Sequence, residues 1–177
     1  MISVVRIVIL MIFCSICGSS CSQNKQKTSK SPTISRETYI EMNRKRVGDE
    51  QKKIEKFIND KKLSMLRTET GLWYNISEEG AGDYVTKGRI VSINYSVRLI
   101  DGTLIYSSDK LGSKEFLVGQ GGVETGLEEG ILMLKKGSKA FFIMPSHLAH
   151  GLMGDDKKIP SRAILLYNVE VIDVKNN

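Results

Sequence analysis

Apolar residues recur along this 177-residue chain with two different periods, and the period changes near residue 71. Between residues 35 and 62 the spacing is helical, and four apolar residues share one helix face: Ile40, Val47, Ile54 and Phe57. Ser35 is a suitable N-cap for this helix. So narrow an apolar stripe needs a partner. The pattern predicts one amphipathic helix over 35–62, packed on the following domain or forming a homodimer with a second copy.

Beyond residue 71, apolar and polar residues alternate, as they do in half-buried antiparallel strands. The segment 89–100 shows this best, and its apolar face contains Val91, Ile93, Tyr95, Val97 and Leu99. Asp101-Gly102 follows at once and predicts a hairpin. The remaining strands are predicted at four places: 104–108, 115–119, 139–144 and 163–174.

One short helix interrupts the strands at 124–134, where Leu127, Ile131 and Leu134 share a face. Several antiparallel strands around a single helix predict an α+β domain. Two strands are apolar on both faces, because four residues lie opposite the core-facing positions: Phe141, Ile143, Ile164 and Leu166. Such a patch indicates a covering element, and the upstream helix is a candidate, in cis or from a second subunit.

The first 20 residues differ from the rest. The run 7–16 is apolar but too short for a membrane span, which needs about 20 residues. Arg6 before it and small residues after it are typical of an export signal. Cys21 and the serines before it resemble the bacterial lipobox, although Gly18 stands where leucine is usual. We therefore predict a lipoprotein signal peptide over 1–20, lipidation of Cys21 and a polar tether over 21–34, with an ordinary secretory signal as the alternative.

Such an anchor places the chain in the cell envelope, on the membrane and facing the periplasm. The charge of +6 is uneven, since residues 22–62 contain twice as many Lys and Arg as Asp and Glu, whereas 63–177 are nearly balanced. Nucleic acid is a poor partner for an exported chain. The basic segment suits anionic headgroups near the anchor, or it is a solvated helix surface that touches nothing.

Several kinds of chemistry lack support. No cysteine follows Cys21, so a disulfide framework and cysteine-bound zinc are excluded from the folded part. Gly119-Gln120-Gly121 begins a G-x-G-x-x-G pattern, but residue 124 is glutamate and no βαβ unit surrounds it, so nucleotide binding is unsupported. Glu128 and Glu129 suit the helix N-terminus. No residues form a recognisable nucleophile arrangement.

Three segments together resemble the FKBP-type peptidyl-prolyl isomerase domain over residues 72–174: VSINYSVRLIDGTLIYSS, EFLVGQGGVETGLEEGILMLKKGSKAFFIMPSHLAHG and IPSRAILLYNVEVIDV. The G-L-E-E-G helix and the P-S-H-L-A-H-G turn are its most specific elements. With the lipoprotein signal and the helix, the arrangement is similar to gliding-motility-associated FKBP-type lipoproteins of Bacteroidetes. The resemblance implies a curved antiparallel sheet wrapped around one short helix, with a pocket between them lined by aromatic and aliphatic side chains. It also implies cis-trans isomerisation of X-Pro bonds in polypeptide clients, without a cofactor or metal.

The resemblance also assigns site residues. Four match catalytic positions: Tyr95, Tyr106, His150 and Tyr167. Six match substrate-binding positions: Ile105, Phe116, Val123, Glu124, Leu127 and Ile159. In the family, a backbone N–H before the helix holds a substrate carbonyl, so the side chain at 124 is expected to matter little.

Some positions depart from the family pattern. Tyr106 replaces an acidic residue, Ile105 a phenylalanine, and Lys114 an apolar or aromatic residue. His150 replaces a tyrosine whose hydroxyl donates a hydrogen bond, and a neutral imidazole can also donate one. An inert surface residue, or a metal ligand with His147, are the alternatives for His150. Because a carboxylate is lost, a non-catalytic binding or chaperone module of an envelope complex remains the rival function.

Overall fold

The computed structural model describes residues 35–177. The predicted signal peptide, the lipidation at Cys21 and the polar tether lie outside these residues. The elements follow in this order: α1 (Arg36–Lys61), β1 (Leu66–Arg67), β2 (Trp73–Glu78), β3 (Arg89–Leu99), β4 (Leu104–Ser107), α2 (Ser108–Leu111), β5 (Lys114–Leu117), α3 (Thr125–Ile131), β6 (Lys139–Met144), a 3-10 turn (Ser146–Leu148) and β7 (Leu165–Asn176). Within the described range, no helix is both long and apolar enough to span a membrane.

The strands form one antiparallel sheet in the order β1-β2-β6-β7-β3-β4, and β5 also pairs with β3. The prediction of an α+β fold with a curved antiparallel sheet is confirmed. The long strand β3 is paired on both sides, and its Val97 lies opposite Tyr167 of β7 and Tyr106 of β4. This register brings residues that are far apart in sequence into one row across the sheet.

The hairpin between β3 and β4 forms at the predicted Asp101-Gly102. Gly102 has a φ of 93°, a left-handed conformation that favours glycine. The Asp101 carboxylate accepts a hydrogen bond from the Thr103 N–H at 2.8 Å, as turn-forming aspartates commonly do. This turn fixes the register that sets Tyr106 beside Val97.

The main core lies between the sheet and α3. Leu127 and Ile131 of α3 are fully buried against strand residues that include Val91, Ile93 and Phe142. Gly130 lets this helix approach the sheet closely, since a Cβ there would lie 2.7 Å from the Phe142 ring. The tight packing fixes the start of α3, and the site residues Val123 and Glu124 lie just before it.

A second core covers the opposite face of the sheet, and α1 of the same chain supplies it. Ile54 and Ile58 pack there against the predicted patch residues Ile143, Ile164 and Leu166, and Phe141 lies at the edge. The predicted stripe is partly wrong, because Ile40 and Val47 are 47% and 49% exposed. Only the second half of α1 packs on the sheet, so those two residues lie beyond the contact.

Candidate functional site

The ten predicted site residues all lie in the main core or beside it. Eight belong to the main hydrophobic core: Leu127, Ile159 and Tyr167 are buried, and five partly buried residues pack against it, namely Tyr95, Ile105, Tyr106, Phe116 and Val123. Glu124 and His150 join them through hydrogen bonds. The roles assigned to these residues stay predictions, and direct contacts join four of them: Tyr95, Tyr167, Glu124 and His150.

Two tyrosines form the aromatic part of the site. Tyr95 of β3 and Tyr167 of β7 lie with ring centroids 6.5 Å apart and ring planes 27° from parallel. Strand alternation directs both side chains to the core face, as the period-two pattern predicts. Burial, with a further effect of the Glu124 charge, raises the pKa of Tyr95, and the same two causes raise that of Tyr167 strongly. Both phenols therefore stay protonated at neutral pH, and the Tyr167 hydroxyl donates a hydrogen bond to Glu124.

The Glu124 carboxylate lies inside the site, and its side chain is only 8% exposed. Its Oε1 accepts a hydrogen bond from the Tyr167 hydroxyl at 2.6 Å and lies 3.2 Å from His150 Nε2. Burial opposes ionisation, yet the bond from Tyr167 and the charge of Lys114 hold the pKa of Glu124 below its ordinary value. The expectation that the side chain at 124 matters little stays a prediction, but the structure shows that this carboxylate connects two other site residues.

A second carboxylate enters the site from the loop before Ile159, where none was predicted. Asp155 Oδ2 accepts a hydrogen bond from the Tyr106 hydroxyl. Its Oδ1 accepts three backbone N–H bonds, from Lys157, Lys158 and Ile159, at 2.7–3.0 Å. Tyr106 on β4 stands where the family usually has an acidic residue, and Asp155 on the loop supplies a carboxylate next to it. An aspartate that opens a polar loop is a common turn signal, and it was the clue in the sequence.

The hydrogen bond between Tyr106 and Asp155 shifts the pKa values of the two groups in opposite directions. The bond to Asp155 raises the pKa of Tyr106 from 10 to about 12, and desolvation adds to this. Desolvation opposes ionisation of Asp155, but the bonds from Tyr106 and three backbone amides hold its pKa well below the ordinary value. An ionised Asp155 therefore fixes the loop that carries Ile159.

Lysine ammonium groups lie over both tyrosine rings of β3 and β4. Lys114 Nζ is 5.3 Å from the Tyr95 ring centroid, and Lys158 Nζ is 5.6 Å from that of Tyr106. These distances lie within the range of cation–π attraction. The rim of the site is consequently polar and charged, which the family resemblance alone did not indicate.

The two histidines bind different partners. His147 Nε2 lies 3.0 Å from the carbonyl oxygen of Thr70, outside the site, whereas His150 Nε2 faces Glu124. Among residues 35–177, no group of three or more His, Cys, Asp and Glu side chains is arranged to hold a metal ion. His150 is 30% exposed at its side chain, so it lies at the rim rather than in open solvent.

The floor of the site is closed in this conformation. Leu127, Tyr167 and Ile159 are 0%, 1% and 3% exposed, whereas an open pocket lined by apolar side chains was expected. The accessible part is a surface depression of about 390 Å³ beside them, lined by eight residues: Lys114, Gly121, Gly122, Val123, Glu124, Thr125, Ala149 and His150. Lys114 and His150, two of the predicted departures from the family pattern, therefore line this depression together with Glu124.

Comparison with known proteins agrees with this geometry. Residues 82–172 match the family model for FKBP-type peptidyl-prolyl cis-trans isomerases, which covers about half of the chain. The chain belongs to this family.

Individual relatives extend the comparison. The chain is 38% identical over 117 residues to the probable FKBP-type peptidyl-prolyl cis-trans isomerase FkpA of Neisseria meningitidis, covering 66% of this chain and 42% of that protein. It is 34% identical over 122 residues to FK506-binding protein 2 of Yarrowia lipolytica, covering 68% and 83%. The crystal structure of FkpA from Escherichia coli superposes with a TM-score of 0.65 at 31% identity, covering 78% of this chain and 65% of that one. The chain thus spans less than half of the length of the Neisseria relative.

Proposed function

We propose that this protein catalyses cis-trans isomerisation of X-Pro peptide bonds in polypeptide clients. The observation that carries the proposal is the contact of four predicted site residues from separate parts of the chain: Tyr95 stacks on Tyr167, and Glu124 bridges Tyr167 and His150. Family membership supports the same reaction.

The chemistry needs a shaped apolar site rather than a reactive group. Rotation about a peptide bond meets a barrier of about 18–20 kcal/mol, because the C–N bond is partly double. In X-Pro the two isomers differ by only about 0.5–1 kcal/mol, so the barrier limits the exchange. The twisted transition state loses charge separation, and an apolar floor formed by Leu127, Ile159 and the Tyr167 ring favours it over the planar form. The resemblance implies that the Glu124 N–H holds the substrate carbonyl; no covalent bond to the protein forms.

A fluorogenic peptide with one proline tests the activity. The full chain should accelerate isomerisation above the rate in buffer. Val123→Arg should abolish this acceleration, since it places a large cation at the partly buried entrance. Leu66→Arg is the matched control, because Leu66 is 64% exposed on β1 and outside the site. A wild-type rate equal to that in buffer would exclude the enzymatic function.

A non-catalytic binding or chaperone module is the second candidate. The closed floor favours it, because Leu127 and Tyr167 are out of reach of a client in this conformation. Such a module would suppress aggregation of an unfolded protein without accelerating a proline-limited refolding step. Measuring both quantities on the same client separates the two functions.

We further propose that the protein is a lipoprotein anchored through Cys21 on the periplasmic side of the cell envelope, where it assists exported or gliding-machinery proteins. The lipobox-like sequence before Cys21 and the basic composition of 22–62 support this location. Labelling with radioactive palmitate in the wild type but not in Cys21→Ala is the expected result. Equal labelling of both would contradict the anchor.

A homodimer through α1 is also proposed. The first half of this helix presents Tyr39, Ile40 and Val47, each about half exposed. Sedimentation of the wild type should then show a dimer that Ile40→Glu converts to a monomer. A monomeric wild type at high concentration would exclude the dimer.

A further inference from the structure

The Glu124 side chain lies inside the predicted site. Its carboxylate lies between Tyr167 and His150, two of the four predicted catalytic residues. When His150 donates its N–H to this carboxylate, that N–H is not free for a client carbonyl. The exposed fraction of the side chain is only 8%, and the floor residues beside it are covered.

The carboxylate is incompletely satisfied in this position. Oε1 has two partners, but Oε2 is buried and lacks a hydrogen-bond partner among the described residues. A buried polar atom without a partner is costly, and an ionised one more so. Glu124 is ionised at neutral pH, since its pKa lies below the ordinary value. The inward position is therefore held by the two partners of Oε1 and opposed by the unpaired, buried Oε2.

The neighbouring depression provides an alternative position. It adjoins Glu124 and is partly lined by two glycines and by Lys114. A carboxylate turned into this space regains water at Oε2 and stays close to an ammonium group. The outward movement frees the His150 ring nitrogen, which also lines the depression.

We propose that Glu124 is an internal competitor for the prolyl pocket, and that a proline-containing client must displace its side chain to bind. In the closed state Oε1 accepts the hydrogen bonds of Tyr167 and His150; in the open state a client carbonyl accepts that of His150, and the Tyr167 hydroxyl remains below the client. This inference rests on the proposed function, because it concerns the same site and the same class of client.

A quantitative consequence follows for affinity. When the binding-competent state is a minor one, the apparent dissociation constant rises by the inverse of its population. Minor states commonly have populations of about 0.1–10%. Removal of the competing side chain should thus tighten client binding about tenfold or more.

The test measures binding and activity separately. Binding of a fluorescein-labelled proline peptide is followed by anisotropy, and isomerisation by kcat/KM, for wild type, Glu124→Ala and Glu124→Gln. Glu124→Ala should lower Kd about tenfold and act on KM more than on kcat. Glu124→Gln, which fills the same space without charge, should lie between the two. The control Glu115→Ala, which removes an exposed carboxylate on β5, should match the wild type.

Tyr167→Phe supplies an independent variant. It removes the hydroxyl that holds Glu124 inward but keeps the ring, so it should also tighten peptide binding. In a Glu124→Ala background the same change should add nothing, because the carboxylate it releases is gone. A purely structural role of Tyr167 would instead weaken binding in both backgrounds.

Two results overturn the inference: a Kd for Glu124→Ala equal to or weaker than that of the folded wild type, or a weaker Kd for Tyr167→Phe. If no variant isomerises peptides but Glu124→Ala binds them more tightly, the isomerase function fails while the competitor role stands. If the wild type isomerises peptides and neither variant tightens binding, the isomerase function stands while the competitor role fails.

Discussion

Glu50 of α1 and Ser146 at the end of β6 are joined by two hydrogen bonds. The Ser146 N–H donates to Glu50 Oε2 at 2.9 Å, and its hydroxyl donates to Oε1 at 2.7 Å. Ser146 begins the 3-10 turn that leads directly to Ala149 and His150, which line the depression at the site. The N-terminal helix therefore supports the β-sheet domain in two ways, by covering one face of its sheet and by holding this turn.

The first prediction concerns this contact. Glu50→Ala should lower the free energy of unfolding by about 1–3 kcal/mol, because two donors of a buried serine lose their acceptor. Urea denaturation measures the difference. Asp49→Ala is the control, since Asp49 is exposed on the same helix and its loss should change stability by less than about 0.5 kcal/mol. Equal effects of the two variants would contradict the role of Glu50.

A second prediction tests the docking of α1 on the sheet. Ile54 is fully buried, so Ile54→Ala should cost about 2–5 kcal/mol of stability. Val47→Ala on the same helix should cost much less, because Val47 is 49% exposed. Denaturation curves for the two variants provide the comparison. If α1 were undocked in solution, both substitutions would have similarly small effects.

The pattern of apolar residues predicted the buried face of the sheet correctly, but it predicted the packing of the helix α1 only in part. In β3 the period of two assigned Val91, Ile93 and Val97 correctly to the buried face, because a paired strand has only two faces. In α1 the helical spacing identified which residues share a face. It contained no information on how far along the helix the contact with the sheet extends, so Ile40 and Val47 were wrongly included with Ile54.

The polar part of the site was beyond sequence reasoning for a different reason. Glu124 and Tyr167 are 43 positions apart, and Tyr106 and Asp155 are 49 apart. No local period connects such residues, and only the tertiary fold brings the strand tyrosines together with these two carboxylates. The family resemblance located the positions, but it described their usual occupants, so the inward turn of the Glu124 side chain was missed.

A third prediction contrasts two glycines in helices. A Cβ on Gly130 of α3 would lie 2.7 Å from the Phe142 ring, which is closer than packed atoms allow. Gly130→Ala should therefore destabilise the protein by about 1–3 kcal/mol through overpacking. Gly48→Ala in α1 should instead stabilise it by about 0.5–1 kcal/mol, since a Cβ there meets nothing within 4 Å and alanine favours the helix. Thermal unfolding distinguishes the two signs, and a stabilised Gly130→Ala would refute the close packing of α3 on β6.

A fourth prediction follows from the hydrogen bond between Tyr106 and Asp155. The folded state raises the pKa of the Tyr106 phenol from 10 to about 12. Above pH 10 the unfolded chain thus binds fewer protons at this residue than the folded one, so stability falls as pH rises from about 10 to about 12.

Tyr106→Phe should make that decline shallower, although Tyr95 and Tyr167 still contribute to it. Asp155→Asn should do the same, because it removes the charged acceptor on which the shift depends. Urea denaturation at intervals between pH 9 and pH 11.5 measures the slopes. Curves parallel to the wild type for both variants would show that the hydrogen bond is absent in solution.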